Sequence, residues 1–173
     1  MSKDYTFNPG DFVVYPAHGV GQVKGIQQTA VAGQNLDLIA INFNKDKMTL
    51  RIPLESAQRN GLRQVASASI MDVAVRTLKG KPKTKRVQWT KRSQEYLSKI
   101  NSGDPVSVAE VLRDLYKNPA VAEQTYSENQ IYKQAMSRFA PEYAISRGID
   151  EAEATSQIES LLLSKSSSSR ESL

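Results

Sequence analysis

The chain has 173 residues, and its 23 Lys and Arg against 18 Asp and Glu give a formal net charge of +5. A positive excess makes polyanions the first class of partner to consider. Cysteine is absent, which excludes disulfides and thiolate metal sites and fits a reducing cytoplasm.

Membrane and catalytic roles receive no support from the sequence. No stretch approaches the roughly 18 consecutive apolar residues of a membrane span, and the first residues do not resemble a signal peptide. His18 is the single histidine, so the sequence gives little support to imidazole-based catalysis or to a histidine metal site. We therefore expect a soluble, cytosolic, monomeric protein that is not an enzyme and has no catalytic residue, metal, cofactor or small-molecule substrate.

The first sixty residues contain short runs of β-branched and aromatic residues, each followed by Gly, Pro, Asn or Asp. Such runs at roughly ten-residue spacing predict antiparallel strands joined by tight turns. Four or five strands are predicted, four of them at 11–15, 21–26, 36–43 and 48–53. They indicate a small antiparallel barrel of SH3 or Tudor type in residues 1–62.

The fourth strand alternates clearly between apolar and polar positions. Its apolar residues Met48, Leu50 and Ile52 share one face, while Thr49 and Arg51 share the other. A small sheet with an exposed edge can accept a strand from another protein, and Arg51 could then bind that partner. An ordinary surface arginine is the alternative.

The second half of the chain has helical periodicity, so the fold class is α+β in two domains. Five helices are predicted, at 68–79, 90–101, 105–117, 127–139 and 150–164, with capping residues at Thr90, Ser127 and Asp150. Residues 63–67 form the expected linker, and 68–164 the expected all-α domain. The Ser-rich residues 165–173 are predicted to be disordered.

A basic run joins the first two predicted helices. Residues 76–92 contain eight basic residues and no acidic one, which leaves 15 basic residues against all 18 acidic ones in the rest of the chain. The entire positive excess therefore lies in this run. Either it is a solvated, flexible linker or it binds nucleic acid.

Trp89 lies inside the basic run and is the only tryptophan of the chain. Its ring could pack on the first turn of the following helix. Alternatively it could act as a wedge against nucleic acid, because apolar side chains inserted at a base step hold DNA unstacked. Phosphate contacts would then come from four cations: Lys85, Arg86, Lys91 and Arg92.

The remaining polar motifs have ordinary structural explanations. A lone histidine beside glycines, as at His18, is typical of a turn residue with local ring contacts, and no phosphate-binding loop is present. The carboxylates of Asp104, Glu110 and Glu123 fit helix caps or helix surfaces, so none requires acid–base chemistry.

Two stretches of sequence resemble the CarD/CdnL family of bacterial transcription regulators. Residues 10–21, GDFVVYPAHGVG, and 49–53, TLRIP, are similar to the polymerase-interacting module that this family shares with transcription-repair coupling factor. Residues 89–92, WTKR, and 108–116, VAEVLRDLY, are similar to the family's C-terminal domain. The resemblance covers roughly residues 7–163.

The resemblance implies two partners. The barrel would dock by strand pairing on the β subunit of RNA polymerase, through Arg51 and with Val31 near the interface. The helical domain would contact promoter DNA at the upstream edge of the melted bubble, where Trp89 enters the minor groove as a wedge and slows reclosure. Lys91 and Arg92 match the family's basic DNA-facing pair. The protein would then be cytoplasmic and associated with the nucleoid through polymerase.

Two positions depart from the pattern of some family members. Gln94 stands where some carry a further lysine, and Thr29 where some carry an arginine. The basic run could compensate for the first departure through Lys81, Lys83 and Lys85. Two other functions stay open: an RNA- or ribosome-associated SH3-like binding module, and a protein-only adaptor whose basic run is a spacer.

Overall fold

The computed structural model describes residues 7–16, 18–43, 47–83, 87–120 and 122–171, without the side chains of residues 31 and 165–171. The chain divides into two compact units, Met1–Val65 and Ala66–Leu173. We call them the sheet unit and the helical unit. Within the described residues, no helix is long and apolar enough to cross a membrane.

The sheet unit contains five strands in the spatial order β4-β3-β2-β1-β5, with every neighbouring pair antiparallel. A short helix, α1, follows β4. The elements are β1 Phe12–Tyr15, β2 Gly19–Val31, β3 Gln34–Phe43, β4 Met48–Pro53, α1 Leu54–Arg59 and β5 Arg63–Gln64. Their core is built from Val13, Val23, Ile39, Ile41 and Phe43, all essentially inaccessible to solvent.

The predicted barrel is not closed. Among the described residues, β4 pairs with β3 and β5 with β1, so these two strands are the edges of an open sheet. The chain enters α1 directly after β4, and Leu54 and Ala57 of that helix fill the core. Because β5 has only two residues, it is too short to join the far edge and close the sheet.

The second strand is longer than predicted because β2 and β3 form an extended hairpin. Its turn is Ala32–Gly33, with φ values of 52° and 78°, as a two-residue hairpin turn of the favoured hand requires. Gly21 permits close packing at the other end of β2. A Cβ atom there would lie 2.6 Å from the Ile41 side chain and 2.8 Å from the Phe43 ring.

In the described part of the helical unit there are five helices, in agreement with the predicted number. They are α2 Ala68–Leu78, α3 Trp89–Asn101, α4 Pro105–Leu115, α5 Tyr126–Arg147 and α6 Glu151–Glu171. The stripe of Val108, Val111, Leu112 and Leu115 on α4 is buried at the centre of the core, as its spacing predicts.

The helix starts agree only partly with the predicted caps. Asp150 accepts a hydrogen bond from the Glu153 backbone and caps α6 as expected. The predictions of Thr90 and Ser127 were wrong, because α3 begins after Gln88 and α5 after Thr125. Thr125 forms a capping box with Glu128, three residues on, which satisfies two backbone donors reciprocally.

Two helices continue past their predicted ends. Helix α5 passes through Pro141 to Arg147, because Ala140, Tyr143 and Ala144 remain buried and offset the hydrogen bond that the proline removes. Helix α6 runs through Glu171, where we predicted a disordered tail from residue 165. Each added residue of a formed helix gains one backbone hydrogen bond, so the backbone propagates beyond the packed Leu162.

Candidate nucleic-acid interface and sheet edge

Trp89 is the first residue of α3 and lies half-buried against the helical core. Its ring centroid is 6.3 Å from that of Tyr96, and the two rings are tilted by 54°. This is an ordinary aromatic pair geometry. The ring therefore packs on Tyr96, seven residues further along α3, and part of the indole remains exposed.

The side chain of Arg92 lies over both of these rings. Its guanidinium carbon is 5.5 Å from the Trp89 centroid and 5.8 Å from that of Tyr96, and Nη2 donates to the Tyr96 hydroxyl at 3.2 Å. Within the described residues, its buried Nε has no hydrogen-bond partner. We call Trp89, Arg92 and Tyr96 the aromatic stack. The guanidinium that the sequence suggested for phosphate contact is thus in contact with two rings.

Several exposed cations lie along the chain on either side of the aromatic stack. Lys91 is exposed on the first turn of α3, and the segment between α2 and α3 adds further cations before it. The described and exposed ones are Lys79, Lys81 and Lys83, and Arg76 is exposed in the last turn of α2. Lys85 and Arg86 lie outside the described residues. Gln94, which replaces the lysine of some family members, is exposed on α3.

The segment between α2 and α3 is attached to α4 at one point. The backbone N–H of Lys83 donates to Asp114 Oδ1 at 3.0 Å, and Arg113 Nε donates to the same oxygen at 2.9 Å. The Asp114 side chain is only 4% exposed. No local pattern in the sequence distinguishes Asp114 from an ordinary helical residue, because its partner Lys83 is 31 residues away.

On the sheet unit, Arg51 is exposed on the edge strand β4, as the alternation predicted. It pairs with Ala40 of β3, whereas the backbone of Val31 pairs with Gln34 at the hairpin turn. Six residues along β3 separate these positions, or about 20 Å. The structure therefore does not bring Arg51 and Val31 together, and the Val31 side chain lies outside the description.

The other polar residues singled out by the sequence have structural roles. The ring of His18 stacks on Tyr15 at 5.7 Å and lies 5.2 Å from the Phe43 ring. Asp104 caps α4 through Val106, and Glu110 pairs with Lys99 at 2.7 Å. In the part of the chain described, no group of three His, Asp or Glu residues is placed to hold a metal ion.

Comparisons with known proteins match both units to family models. Residues 7–66 match the CarD-like/TRCF RID domain, and residues 73–159 match the CarD C-terminal domain. A relative described as a candidate transcription factor, YdeB of Bacillus subtilis (strain 168), is 24% identical over 145 residues, covering 84% of this chain and 95% of its own.

A solved structure, the 72-residue N-terminal domain of Myxococcus xanthus CarD in solution, shares 32% identity. The match covers 36% of this chain and 84% of the solved domain, with a TM-score of 0.30.

The two matched domains, one after the other along the chain, define a transcription-associated regulator. The chain belongs to the CarD family, whose members are non-catalytic transcription factors.

Proposed function

We propose that this protein binds the β subunit of RNA polymerase through the sheet unit and promoter DNA through the helical unit. In this proposal it acts at the upstream edge of the melted bubble and stabilises the open complex. Trp89 is the wedge, exposed Lys91 contacts phosphate, and Lys85 and Arg86 add to the positive potential.

The observation that carries the DNA half is the half-buried Trp89 at the start of α3, between exposed cations on both sides in sequence. Arg92 and Tyr96 support the indole from one side, so little side-chain entropy is lost when it meets a base step. Arg92 accordingly acts mainly by holding the ring. The cations supply affinity that falls with salt and carries no base sequence information.

The size of the effect is compatible with a single wedge. Unstacking a base step costs a few kcal/mol, and a side chain that fits only melted DNA shifts the equilibrium by its differential affinity. Each ~1.4 kcal/mol changes the ratio of open to closed complex tenfold. A modest DNA affinity is sufficient if the sheet unit is already bound to polymerase, because tethering raises the local concentration.

The polymerase half is supported by the open edge at β4. An edge strand can accept a partner strand through its main chain, and Arg51 can add a charge-assisted bond at the exposed face. The match to the CarD-like/TRCF RID domain supports a partner in the transcription machinery. Val31 belongs to this proposal through the family resemblance.

The decisive experiment measures the lifetime of preformed open complexes after addition of a competitor, with wild type and Trp89→Ala. We expect the variant to shorten the lifetime by about tenfold, which corresponds to ~1.4 kcal/mol of lost stabilisation. Trp89→Phe retains part of the wedge and should give an intermediate lifetime.

The matched control is Tyr126→Ala, which removes an aromatic ring that is 79% exposed elsewhere in the helical unit. It should leave the lifetime unchanged. Thermal unfolding of each variant checks that the helical unit is intact. An unchanged lifetime with folded Trp89→Ala would contradict the proposal, and co-purification of ribosomal RNA instead of polymerase would favour an RNA-binding module.

A further inference from the structure

The basic segment between α2 and α3 is not simply a flexible spacer at Lys83. Its backbone N–H is bound to Asp114, a carboxylate whose side chain is 4% exposed and also accepts from the Arg113 Nε atom. Gly80, earlier in the segment, lies close to the same arginine, since a Cβ atom there would be 3.6 Å from its Cδ atom. The segment is therefore attached to α4 by the Lys83 hydrogen bond and also lies near α4 at Gly80.

This attachment faces the aromatic stack across a groove of about 320 Å³. Lys83 lines the groove on the side of the segment, Arg92 and Tyr96 on the side of α3, and Asp114 on the side of α4. The carboxylate thus lies in a groove whose walls include both the basic segment and the residues that support Trp89.

The chemistry of Asp114 is unusual for a DNA-binding surface. A negative charge beside the basic segment opposes the approach of phosphates, so electrostatics alone would make it unfavourable. Its buried position and its two donors instead indicate a structural purpose, because a carboxylate that accepts a backbone N–H fixes that peptide in one place.

We propose that Asp114 is a positioning residue for promoter binding. By holding the backbone at Lys83, it keeps Lys83 and the neighbouring Lys81 beside the aromatic stack, so that these cations and Trp89 form one preorganised surface. This inference rests on the proposed function and names a further residue that the function needs.

The sharpest test compares two substitutions at Lys83. Both Lys83→Ala and Lys83→Pro remove the same cation, but only the proline removes the backbone N–H that binds Asp114. The preceding residue is already Pro82. We expect Lys83→Ala to lower promoter-DNA affinity by less than about threefold and to reduce the salt dependence by one contact.

Lys83→Pro should lower the affinity by about a further fivefold, as expected for loss of a hydrogen bond to a charged group that orders several cations. It should shorten the open-complex lifetime in parallel. Equal affinities and lifetimes for the two Lys83 variants would overturn the inference.

Substitution of Asp114 gives a second test. A purely electrostatic role and a positioning role of this carboxylate predict opposite changes in DNA affinity. Loss of a negative charge should tighten DNA binding if charge alone matters, whereas loss of the attachment should weaken it. Asp114→Ala is therefore expected to weaken DNA binding. Asp114→Asn, which keeps an oxygen acceptor for the Lys83 N–H, should restore most of the affinity.

The control is Glu123→Ala, which removes a negative charge from an exposed loop and should leave DNA affinity unchanged or slightly increased. Tighter binding by Asp114→Ala would overturn the inference. If this variant fails to fold because Arg113 is left without its carboxylate, the Lys83 pair decides the question alone.

Trp89→Ala is measured in the same series, so that the two proposals can fail separately. A short lifetime with Trp89→Ala but wild-type behaviour of Lys83→Pro would leave the proposed function in place and reject the role of Asp114. A normal lifetime with Trp89→Ala would reject the proposed function itself.

Discussion

In the sheet unit, neighbouring strands are joined by main-chain pairing, and side chains contribute mostly by filling the core. In the helical unit, carboxylates also accept backbone N–H groups of residues that precede or connect helices. These bonds join Ala66 to Glu142 at 2.7 Å, Lys83 to Asp114 at 3.0 Å and Thr125 to Glu128 at 3.1 Å.

The two candidate surfaces follow this difference. The edge of β4 offers main-chain groups, which nearly any sequence supplies once the strand has formed. The surface around Trp89 depends on a few side chains held in place by others. Substitutions should therefore affect the first surface mainly by disrupting the sheet, and the second by displacing single residues.

The largest expected effect on stability comes from Gly21→Ala. The added methyl group would overlap the side chains of Ile41 and Phe43, and overpacking of a core costs about 1–3 kcal/mol. Chemical denaturation, with hydrogen exchange read separately in each unit, should show the loss in the sheet unit.

Gly25→Ala is the matched control on the same strand, because a Cβ atom there would meet nothing within 4 Å. It should be nearly neutral. Equal destabilisation by both variants would mean that backbone freedom, and not packing against Ile41, explains why residue 21 is a glycine.

A smaller effect is expected from Arg51→Ala on binding to the polymerase β subunit. If the main chain of β4 supplies most of the interface, loss of one charge-assisted bond should weaken binding by about tenfold. Titration calorimetry with purified β subunit measures this. Thr49→Ala truncates a neighbour on the same exposed face and should bind normally.

Complete loss of binding by Arg51→Ala would contradict this expectation, because polymerase binding by the sheet unit would then depend on one side chain, as DNA binding by the helical unit does.

The smallest effect concerns Glu128 and depends on pH. Burial opposes its ionisation, but hydrogen bonds from Thr125 and Lys117 dominate and lower the pKa of Glu128 from its ordinary value of 4.5. A lowered pKa in the folded state means that the ionised group adds stability above the unfolded pKa, and that this stability is lost as the pH falls through the folded value.

Glu128→Gln should therefore cost about 0.5 kcal/mol or less at neutral pH, the range of a partly exposed ion pair. Thermal unfolding across pH should show the difference shrinking as the pH falls below 4.5 and vanishing below the lowered pKa of the folded state. A constant difference at all pH values would exclude the charge as its cause.

Much of the fold could be predicted because it depends on local patterns. The alternation in β4 and the apolar stripe on α4 specify which faces are buried without reference to distant residues. The open sheet was not predictable in this way. Closure depends on whether the chain after β4 forms a strand or a helix, and residues 54–59 form α1, whose buried Leu54 and Ala57 complete the core.

The candidate site was predictable to a similar extent. Trp89 and its neighbouring cations are adjacent in sequence, so composition alone revealed them. The contacts of Arg92 depend on which rotamer packs on Tyr96, and the bond from Lys83 to Asp114 depends on how α4 packs. Only the second contact lies beyond a local pattern, because Lys83 and Asp114 are 31 residues apart, whereas Arg92 and Tyr96 are four residues apart on one helix.

The position of the only tryptophan has a practical optical consequence. Red-edge excitation selects indole over tyrosine, so the emission of this protein reports on one side chain in one place. With a guanidinium over the ring and part of the indole exposed, that emission should respond to any base that stacks on it. The unlabelled protein thus carries its own reporter for the event that it is proposed to perform.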